Sequence, residues 1–234
     1  MPPLALLAGG LATRMRPLTE TIPKSMLEVG GKPFIAHQLD LYHREGIRHV
    51  VICAGHLGEL MRGFVGDGSN WGLKVDWSFD GKDLLGTGGA LQRALRFLGD
   101  EFFVSYGDSW LDTSYRPVVE AFHASGKPAL MTVYRNDGQW DASNIEFENG
   151  TILNYDKSAA VTARMRYIDY GLQVIRRDVL TAYPDETKFD LAEIYTKMAK
   201  TGQMAGYEVG QRFYEIGSPQ GLADTDALLR GTSR

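Results

Sequence analysis

The sequence predicts an α/β fold, with a Rossmann-like, mixed but mainly parallel sheet, helices on both faces and a small hairpin-rich part. Apolar runs of strand length alternate with segments of helical periodicity along the first half. Most of these runs are continuously hydrophobic, which is typical of parallel strands that helices cover on both sides. In the second half an Asn-Gly pair, Asn149-Gly150, is a strong β-hairpin signal.

The first half supplies the predicted parallel strands and the helices between them. The strands are LALLA (4–8), HVVICA (49–54), LKVDWSF (73–79) and the apolar part of FFVSYGD (102–108). The helices are PFIAHQLDLYHREG, HLGELMRGFVG and TGGALQRALRFLGD, in which apolar residues recur at helical spacing. LKVDWSF alternates between apolar and polar residues, so it is expected to be half exposed.

The second half changes character. PALMTVY (128–134) still has the pattern of a central strand, and NIEFENGTILNY predicts two strands joined at the Asn-Gly turn. RYIDYGLQVI (166–175) predicts a further strand, YEVGQRFYEIG (207–217) two more, and SPQGLADTDALLRG a closing helix. We expect one domain over residues 1–234, with a nucleotide-binding half to about residue 134 and a substrate-binding half from about residue 135.

Composition limits the classes of partner. A chain of 234 residues with 44% hydrophobic residues is long enough for one domain with a large core. The net charge of -4 argues against nucleic-acid or anionic-membrane binding, so any anion site must be a local basic pocket. The single cysteine, Cys53, lies in an apolar run and allows no intrachain disulfide, which favours a cytoplasmic location. No cation precedes the first apolar run, as a signal peptide would require.

Three candidate ligand-binding stretches follow predicted strands, where open parallel sheets bind their ligands. They are Gly9-Gly10, the loop before Gly86, and Gly107-Asp108. Glycine pairs let backbone N–H groups approach an anion, and Arg14 and Lys24 would add full charges beside it. For the glycines alone, an ordinary tight turn remains an equal alternative.

Two familiar phosphate-binding patterns are missing from the sequence. The P-loop pattern G-x-x-x-x-G-K-[ST] is absent, which disfavours kinase-like or ATPase chemistry. The dinucleotide fingerprint G-x-G-x-x-G is not satisfied at Gly9-Gly10, and no clear strand leads straight into the glycines of 86–89. A dehydrogenase is therefore disfavoured as well.

The residues from Gly9 to Lys24 resemble the signature of the sugar-1-phosphate nucleotidylyltransferases, G-G-x-x-x-R-x-x-P-L-T followed by P-K. Further matches follow in the expected order along the whole chain: G-K-P-F (31–34), L-G-T-G-G-A (85–90), Y-G-D (106–108), Y-D-K (155–157), I-D-Y-G (168–171) and Y-E-I-G-S-P (214–219). The set is specific, although each later piece alone would be weak.

The resemblance implies transfer of a nucleotide from a nucleoside triphosphate to a sugar 1-phosphate, with release of pyrophosphate and Mg²⁺ as cofactor. Arg14 would hold the β- and γ-phosphates, and Lys24 would neutralise the α-phosphate under attack. The nucleotide-binding residues would be Leu7, Ala8, Gly9, Gly10, Gly86, Thr87 and Gly88.

For the acceptor and the metal, the resemblance implies a second set of residues. Lys157 would contact the phosphate of the sugar, Gly171 would lie in the sugar pocket with Asp169 beside it, and Asn144 ends a loop that would face the sugar. Asp108 and Glu215 would bind Mg²⁺. Glu215 departs from the family's usual aspartate, and Asp156 departs from a frequent glutamate before the lysine, which weakens both matches.

The resemblance is greatest to the heptose 1-phosphate guanylyltransferase branch, which predicts GTP and D-glycero-D-manno-heptose 1-phosphate as substrates. A UTP-dependent N-acetylmuramate 1-phosphate uridylyltransferase is the alternative. A catalytically silent, nucleotide-sugar-binding regulatory subunit is the third reading, and the presence of Arg14, Lys24 and Asp108 disfavours it. We expect neither nucleic-acid nor membrane partners, and a homo-oligomer is left open.

Overall fold

A computed structural model describes residues 1–156, 162–184 and 187–231 and confirms the predicted α/β fold. The strands are β1 Leu4–Leu7, β2 Glu28–Val29, β3 Lys32–Pro33, β4 His49–Ala54, β5 Lys74–Phe79, β6 Glu101–Tyr106, β7 Ser109–Trp110, β8 Ala129–Arg135, β9 Ile145–Glu148, β10 Thr151–Tyr155, β11 Tyr167–Arg176, β12 Met204–Val209 and β13 Tyr214–Glu215. The α-helices are α1 Phe34–Arg44, α2 Gly58–Val65, α3 Gly86–Ala94, α4 Tyr115–Ser125, α5 Asp178–Thr181, α6 Leu191–Lys200 and α7 Pro219–Leu229.

Nine of the described strands form one sheet in the order β5-β4-β1-β6-β11-β8-β12-β10-β9. The pairs among β5, β4, β1 and β6 are parallel, as the continuous apolar runs predict. β11 lies antiparallel between β6 and β8, so residues from both halves of the chain share one sheet. Because β1, β4, β5 and β6 run the same way, their carboxyl ends meet at one edge.

Two layers of helices cover this sheet. The buried faces of α3, α5 and α6 pack on one side, against residues such as Val51 and Val104. The buried faces of α1, α2 and α4 pack on the other, against Leu6, Ile52 and Phe103. These core side chains are essentially inaccessible to solvent, so burial of apolar area on both faces stabilises the sheet.

Several predicted elements match closely. HVVICA is β4 residue for residue, and the predicted hairpin is formed by β9 and β10. Its turn residues Asn149 and Gly150 have φ of 48° and 77°, the left-handed backbone that two-residue hairpin turns require.

The sequence analysis made no assignment for α4 or α6. α6 begins with a capping box in which the Asp190 carboxylate accepts from the backbone N–H of Ala192 at 2.8 Å, while Glu193 accepts from the Asp190 backbone. That D-x-x-E pattern is visible in the sequence and would have located the helix start.

A short antiparallel ribbon outside the main sheet carries two of the predicted metal ligands. β7 pairs with β13, which places Glu215 opposite Ser109 and next to Asp108. The ribbon packs on α1 and α7 through a small cluster that includes Phe34, Trp110 and Ile216. Within the described part of the chain, no helix has both the length and the apolar character needed to span a bilayer.

Candidate active site

A cavity of about 250 Å³ opens at the sheet edge where the parallel strands end. Its walls come from the residues after β1, β5 and β6, from the turn at Lys24 and from the start of α3. The lining residues are Leu7, Ala8, Gly9, Gly10, Lys24, Ser25, Cys53, Asp80, Leu84, Gly86, Thr87, Ala90, Tyr106, Gly107 and Asp108. The structure therefore brings together the three strand ends that the sequence singled out.

The two glycines after β1 have different surroundings. A Cβ on Gly9 would lie 3.1 Å from the backbone N of Gly55, and one on Gly55 would lie 2.5 Å from the Gly9 carbonyl oxygen. Gly9 is thus needed for close packing of two backbone segments. A Cβ on Gly10 would meet nothing within 4 Å, so this backbone faces open space. Gly10 is the glycine positioned for a ligand's approach.

The glycines at the start of α3 mostly serve packing between α3 and the segment before α6. A Cβ on Gly88 would overlap the ring of Phe189, and one on Gly86 would lie 2.5 Å from the Phe189 carbonyl oxygen. Gly86 still lines the cavity, whereas Gly88 lies against Phe189 and is not among the described lining residues.

Thr87 lines the cavity but its hydroxyl is already used. It donates to the carboxylate of Asp190 at 3.0 Å and accepts from the backbone N–H of Leu191 at 2.8 Å. These bonds join the first turn of α3 to the first turn of α6. Thr87 therefore fixes the cavity wall through its contact with α6, about a hundred positions away in sequence.

Asp80 is a cavity residue that the sequence analysis missed. It directly follows β5, is only 7% exposed, and accepts a hydrogen bond from the backbone N–H of Leu85 at 3.1 Å. Burial raises the pKa of this carboxyl, an effect opposed by the bond from Leu85 and by the charge of Arg93. The rule that selected Gly9 and Asp108, that ligands bind at carboxyl ends of parallel strands, applies equally to Asp80.

Two neutral side chains complete the wall. Burial raises the pKa of the Cys53 thiol, and burial together with nearby carboxylates raises the pKa of the Tyr106 phenol. Both groups remain protonated at neutral pH. The sequence analysis interpreted Cys53 as a small buried hydrophobe, and it is indeed 1% exposed, yet it also lines the cavity.

Lys24 and Asp108 form an ion pair inside the cavity. Lys24 lies on a short 3-10 turn after Pro23, and its Nζ is 2.6 Å from Asp108 Oδ2. Both side chains keep about a quarter of their surface exposed, at 21% and 27%. The buried amide of Gln38 donates to the carbonyl oxygens of Tyr106 and Ser109, each at 2.9 Å, and so fixes the backbone on both sides of Asp108.

Glu215 lies beside this pair. Its carboxylate accepts from the backbone N–H of Gly217 and from the Ser218 hydroxyl, the latter at 2.7 Å. A Cβ on Gly217 would lie 2.5 Å from Glu215 Oε2, 3.4 Å from Asp108 Oδ2 and 3.6 Å from Lys24 Nζ. Two carboxylates and one ammonium thus surround a space that only glycine leaves open.

This arrangement fits a magnesium ion. Mg²⁺ prefers oxygen ligands and is usually bound by one or two carboxylates plus substrate phosphates and water. Asp108 and Glu215 supply two such carboxylates next to the space at Gly217. Within the described residues no three His, Cys, Asp or Glu side chains are grouped as a ready-made metal site. Phosphate oxygens would therefore have to complete the coordination.

Two of the predicted acceptor residues, Asp169 and Gly171, lie on β11, and Asn144 directly precedes β9. Asp169 Oδ1 accepts from the Gly171 backbone at 2.9 Å and from the Gln173 amide at 2.7 Å, at a bulge where the β11–β8 register shifts. Gly171 has φ of 101° and packs near Ser109 and Leu111. Lys157 lies outside the described residues.

Arg14 is placed less directly. It lies on the exposed turn Thr13–Met15, between Gly10 and Lys24, and it is not among the described residues that line the cavity. Its predicted contact with the β- and γ-phosphates remains a prediction, as do the other residue roles.

Comparison with known proteins identifies similar chains. The sequence model described as nucleotidyl transferase matches residues 5–147. The chain is 28% identical over 213 residues to a UTP–glucose-1-phosphate uridylyltransferase of Synechocystis sp., with 84% of this chain and 55% of that protein covered. It is 24% identical over 216 residues to the D-glycero-alpha-D-manno-heptose 1-phosphate guanylyltransferase of Campylobacter jejuni, with 92% of this chain and 94% of that protein covered.

The fold also matches solved structures. HddC from Yersinia pseudotuberculosis, crystallised in complex with GMP-PN, superposes with a TM-score of 0.82. Sequence identity is 21%, and the superposition covers 97% of this chain and 99% of HddC. The chain spans only about half of the Synechocystis relative, at 55%, but nearly all of HddC and of the Campylobacter protein.

Proposed function

The chain belongs to the nucleotidyl transferase family, and on that premise we propose that it joins a nucleoside triphosphate and a sugar 1-phosphate into a nucleotide sugar with release of pyrophosphate. The observation that carries this proposal is the meeting of Lys24, Asp108 and the open backbone of Gly10 in one cavity. A cation, a carboxylate fit for a metal and free N–H groups are the chemistry that a bound triphosphate requires.

The reaction needs no protein base. A phosphate monoester has a second pKa near ~6, so the acceptor's phosphate is already largely dianionic at neutral pH. One of its oxygens attacks the α-phosphorus, forming a P–O bond. The bond from the α-phosphorus to the bridging β-oxygen breaks, and pyrophosphate leaves with that electron pair. Alignment and neutralisation of charge are therefore the main tasks of the protein.

The chain's own residues divide these tasks. The backbone from Leu7 to Gly10 binds the nucleotide along the cavity floor, and Lys24 neutralises the α-phosphate as it gains a fifth oxygen. Arg14 approaches the leaving phosphates from the exposed turn. When bound by Asp108 and Glu215, Mg²⁺ would shield the charge on the phosphate oxygens. Asn144, Asp169, Gly171 and Lys157 bind the acceptor.

GTP is the nucleotide that we assign. Guanine presents two adjacent donors, N1–H and the N2 amino group, which together match one carboxylate. Asp80 supplies a buried carboxylate that lines the cavity and accepts from the backbone of Leu85, just before the α3 start that would border the base. The guanylyltransferase similarity and the GMP-PN complex of HddC support the same base and, as acceptor, D-glycero-D-manno-heptose 1-phosphate.

A uridylyltransferase is the second candidate, favoured by the similarity to the Synechocystis protein. Uracil offers a single ring N–H to Asp80, so UTP would form one hydrogen bond with that carboxylate where GTP could form two. N-acetylmuramate 1-phosphate is the corresponding acceptor. We place the reaction in the cytoplasm, since the single cysteine fits a reducing compartment.

The test is pyrophosphate release by the purified protein with Mg²⁺. GTP, UTP, dTTP, CTP and ATP would each be paired with the 1-phosphates of heptose, mannose, glucose and N-acetylmuramate. Release with GTP and the heptose phosphate is expected. Release with UTP and N-acetylmuramate 1-phosphate would favour the second candidate, and nucleotide binding with no turnover for any pair would favour a regulatory subunit.

A further inference from the structure

We propose that Arg212, stacked on Trp140 and Tyr214, is a positioning residue for the acceptor and holds the Trp140 loop (residues 137–143) beside the acceptor's binding site. The guanidinium carbon of Arg212 lies 3.5 Å from the centre of the Trp140 ring and 4.6 Å from that of Tyr214. The inference rests on the proposed function, because it assumes a sugar 1-phosphate acceptor. No sequence motif drew attention to Arg212.

The Trp140 loop is organised from within. Asn136 is fully buried at the base of the loop, where its side-chain amide donates to the Asp141 carbonyl at 2.7 Å and to the Ser143 hydroxyl at 3.1 Å. Its side-chain oxygen accepts from the backbone N–H of Trp140 at 3.1 Å. The loop therefore presents Trp140 in a defined direction, although 48% of that side chain is exposed.

Arg212 is held from the other side. Its guanidinium contacts the Asp224 carboxylate of α7 at 3.0 Å, and Asp224 also accepts from Gln220 at 2.7 Å. Arg212 comes just before β13, the strand that places Glu215 beside Asp108. The stack therefore bridges the ribbon that carries Glu215 and the Trp140 loop, which Asn144 follows.

Two polar atoms, one in the stack and one in the residue that follows the Trp140 loop, lack hydrogen-bond partners within the described residues. They are Arg212 Nε, a donor, and Asn144 Oδ1, an acceptor, and both are buried. Unpartnered buried polar atoms are rare in folded proteins and call for an explanation. A sugar phosphate carries hydroxyl donors together with phosphate and hydroxyl acceptors, so it can satisfy both. In the proposed function the nucleotide's base contacts Asp80, which lines the cavity, whereas neither Arg212 nor Asn144 is among its described lining residues.

This geometry makes acceptor binding depend on the stack. A bound acceptor gains a partner from Arg212 and from Asn144 only while Trp140 keeps the loop against the ribbon. Cation–π contacts of a partly desolvated arginine are strong enough to bias such a loop by a factor of ten. Loss of the stack should weaken acceptor binding and leave the triphosphate contacts at Lys24 intact.

The first test is a kinetic comparison of Arg212→Ala, Arg212→Lys, Trp140→Ala and Trp140→Phe. Arg212→Ala and Trp140→Ala should raise KM for the sugar 1-phosphate about five- to twentyfold, with less than about a twofold change in KM for the nucleotide. Trp140→Phe keeps an aromatic face and should restore most of the affinity. Arg212→Lys keeps the charge but loses the planar fork and Nε, so it should not.

The matched control is Arg96→Ala. Arg96 also lies over an aromatic ring, 4.8 Å from the centre of Phe97, but in the short 3-10 helix that follows α3. Its removal should change neither KM. A purely structural role for Arg212 predicts a lower melting temperature with both KM values unchanged, and that result would overturn the proposal. Equal increases in both KM values would overturn it as well.

A second readout is independent of turnover. In the wild type, heptose 1-phosphate or mannose 1-phosphate should change the tryptophan emission, and Trp140→Phe should abolish that change. Suppose that the wild type turns over, that the sugar phosphates do not change its emission, and that the Arg212 and Trp140 variants keep the wild-type KM values. That result would refute the role of Arg212 but not the proposed function. Neither turnover nor any response to the sugar phosphates would refute the proposed function and the inference together.

Discussion

The ammonium of Lys24 lies 2.6 Å from the carboxylate of Asp108, so the residue expected to bind phosphate neutralises a residue expected to bind metal. Each side chain keeps the other from being an uncompensated charge in a half-enclosed cavity. In the proposed function a bound triphosphate would replace both partners at once, since its oxygens would attract Lys24 and its accompanying cation would attract Asp108. The pair therefore holds both groups near their working positions before substrate arrives.

Replacing Lys24 by Met should lower kcat by about two to three orders of magnitude, because charge on the attacked phosphate is greatest in the transition state. Nucleotide affinity should fall only a few-fold. Steady-state kinetics and isothermal titration with the nucleotide check both values. Lys74→Met is the control, since Lys74 begins β5 at the opposite end of the sheet and should behave as wild type. A larger loss in affinity than in kcat would contradict the assigned role.

Replacing Asp108 by Asn should lower activity by a factor of about a hundred and raise the Mg²⁺ concentration needed for half-maximal rate. A neutral amide is a weaker ligand for a hard cation. EDTA should abolish pyrophosphate release by the wild type, and added Mg²⁺ should restore it. Asp40→Asn, at an exposed carboxylate paired with Lys32, serves as the control. An unchanged Mg²⁺ dependence in Asp108→Asn would argue against metal ligation there.

Replacing Asp80 by Asn should alter the choice of base. If the carboxylate accepts from guanine N1–H and N2, the substitution should lower kcat/KM for GTP by about ten- to a hundredfold. It should also reduce the preference for GTP over ITP, which lacks the N2 amino group. Asp83→Asn, in the exposed part of the same loop, should leave both values unchanged. If Asp80→Asn kept the wild-type ratio of kcat/KM for GTP to that for ITP, Asp80 would not be the residue that recognises guanine.

The same substitution should change how stability depends on pH. Burial raises the pKa of Asp80 above its unfolded value, so the folded state binds the proton more tightly. This group's contribution to folding is present below the unfolded pKa of about 4 and is lost as the pH rises through the folded pKa. Asp80→Asn should therefore gain melting temperature relative to wild type as the pH rises from about 4 through the folded pKa. A constant difference across that range would show that the carboxyl does not titrate abnormally.

Replacing Gly89 by Ala should destabilise the fold by about 1–3 kcal/mol, because its new Cβ would overlap the Thr187 carbonyl oxygen, a backbone atom that cannot rotate away. Denaturant unfolding measures the loss. Gly63→Ala is the matched helical control, since a Cβ there meets nothing within 4 Å and alanine favours the helix. Equal stability of the two variants would show that the α3–Thr187 contact is not tight.

The sequence predicts the sheet well because buried parallel strands leave a pattern that does not depend on distant residues. HVVICA is such a case. The antiparallel hairpin was predicted from a different local signal, the Asn149-Gly150 turn. The candidate site was harder. Asp80 follows a strand whose alternating pattern directed attention to its exposed face. The loop before Gly86 was singled out as a ligand-binding stretch, but nothing in it marked Asp80 in particular.

Contacts between segments that are distant in sequence could not be predicted from local residue patterns. Gly88 belongs to a glycine-rich motif, yet its neighbour is Phe189, and no spacing rule connects the two. Trp140 and Arg212 are likewise 72 positions apart, and they meet because Trp140 follows β8 while Arg212 follows β12, the parallel partner of β8 in the sheet. The division into a nucleotide half and an acceptor half remains a prediction from the motifs.

The hydrogen bonds of Thr87 with Asp190 and Leu191 also limit how this chain can be recombined with its relatives. A chimera that joined its first 134 residues to the remainder of a relative would separate Thr87 from Asp190 and Leu191 at the start of α6. The position of the cavity wall would then depend on whether the relative supplies a carboxylate and a backbone N–H that can bond to the Thr87 hydroxyl. The two halves thus depend on each other structurally, and exchange of substrate preference between relatives is expected to proceed through the loops around the site.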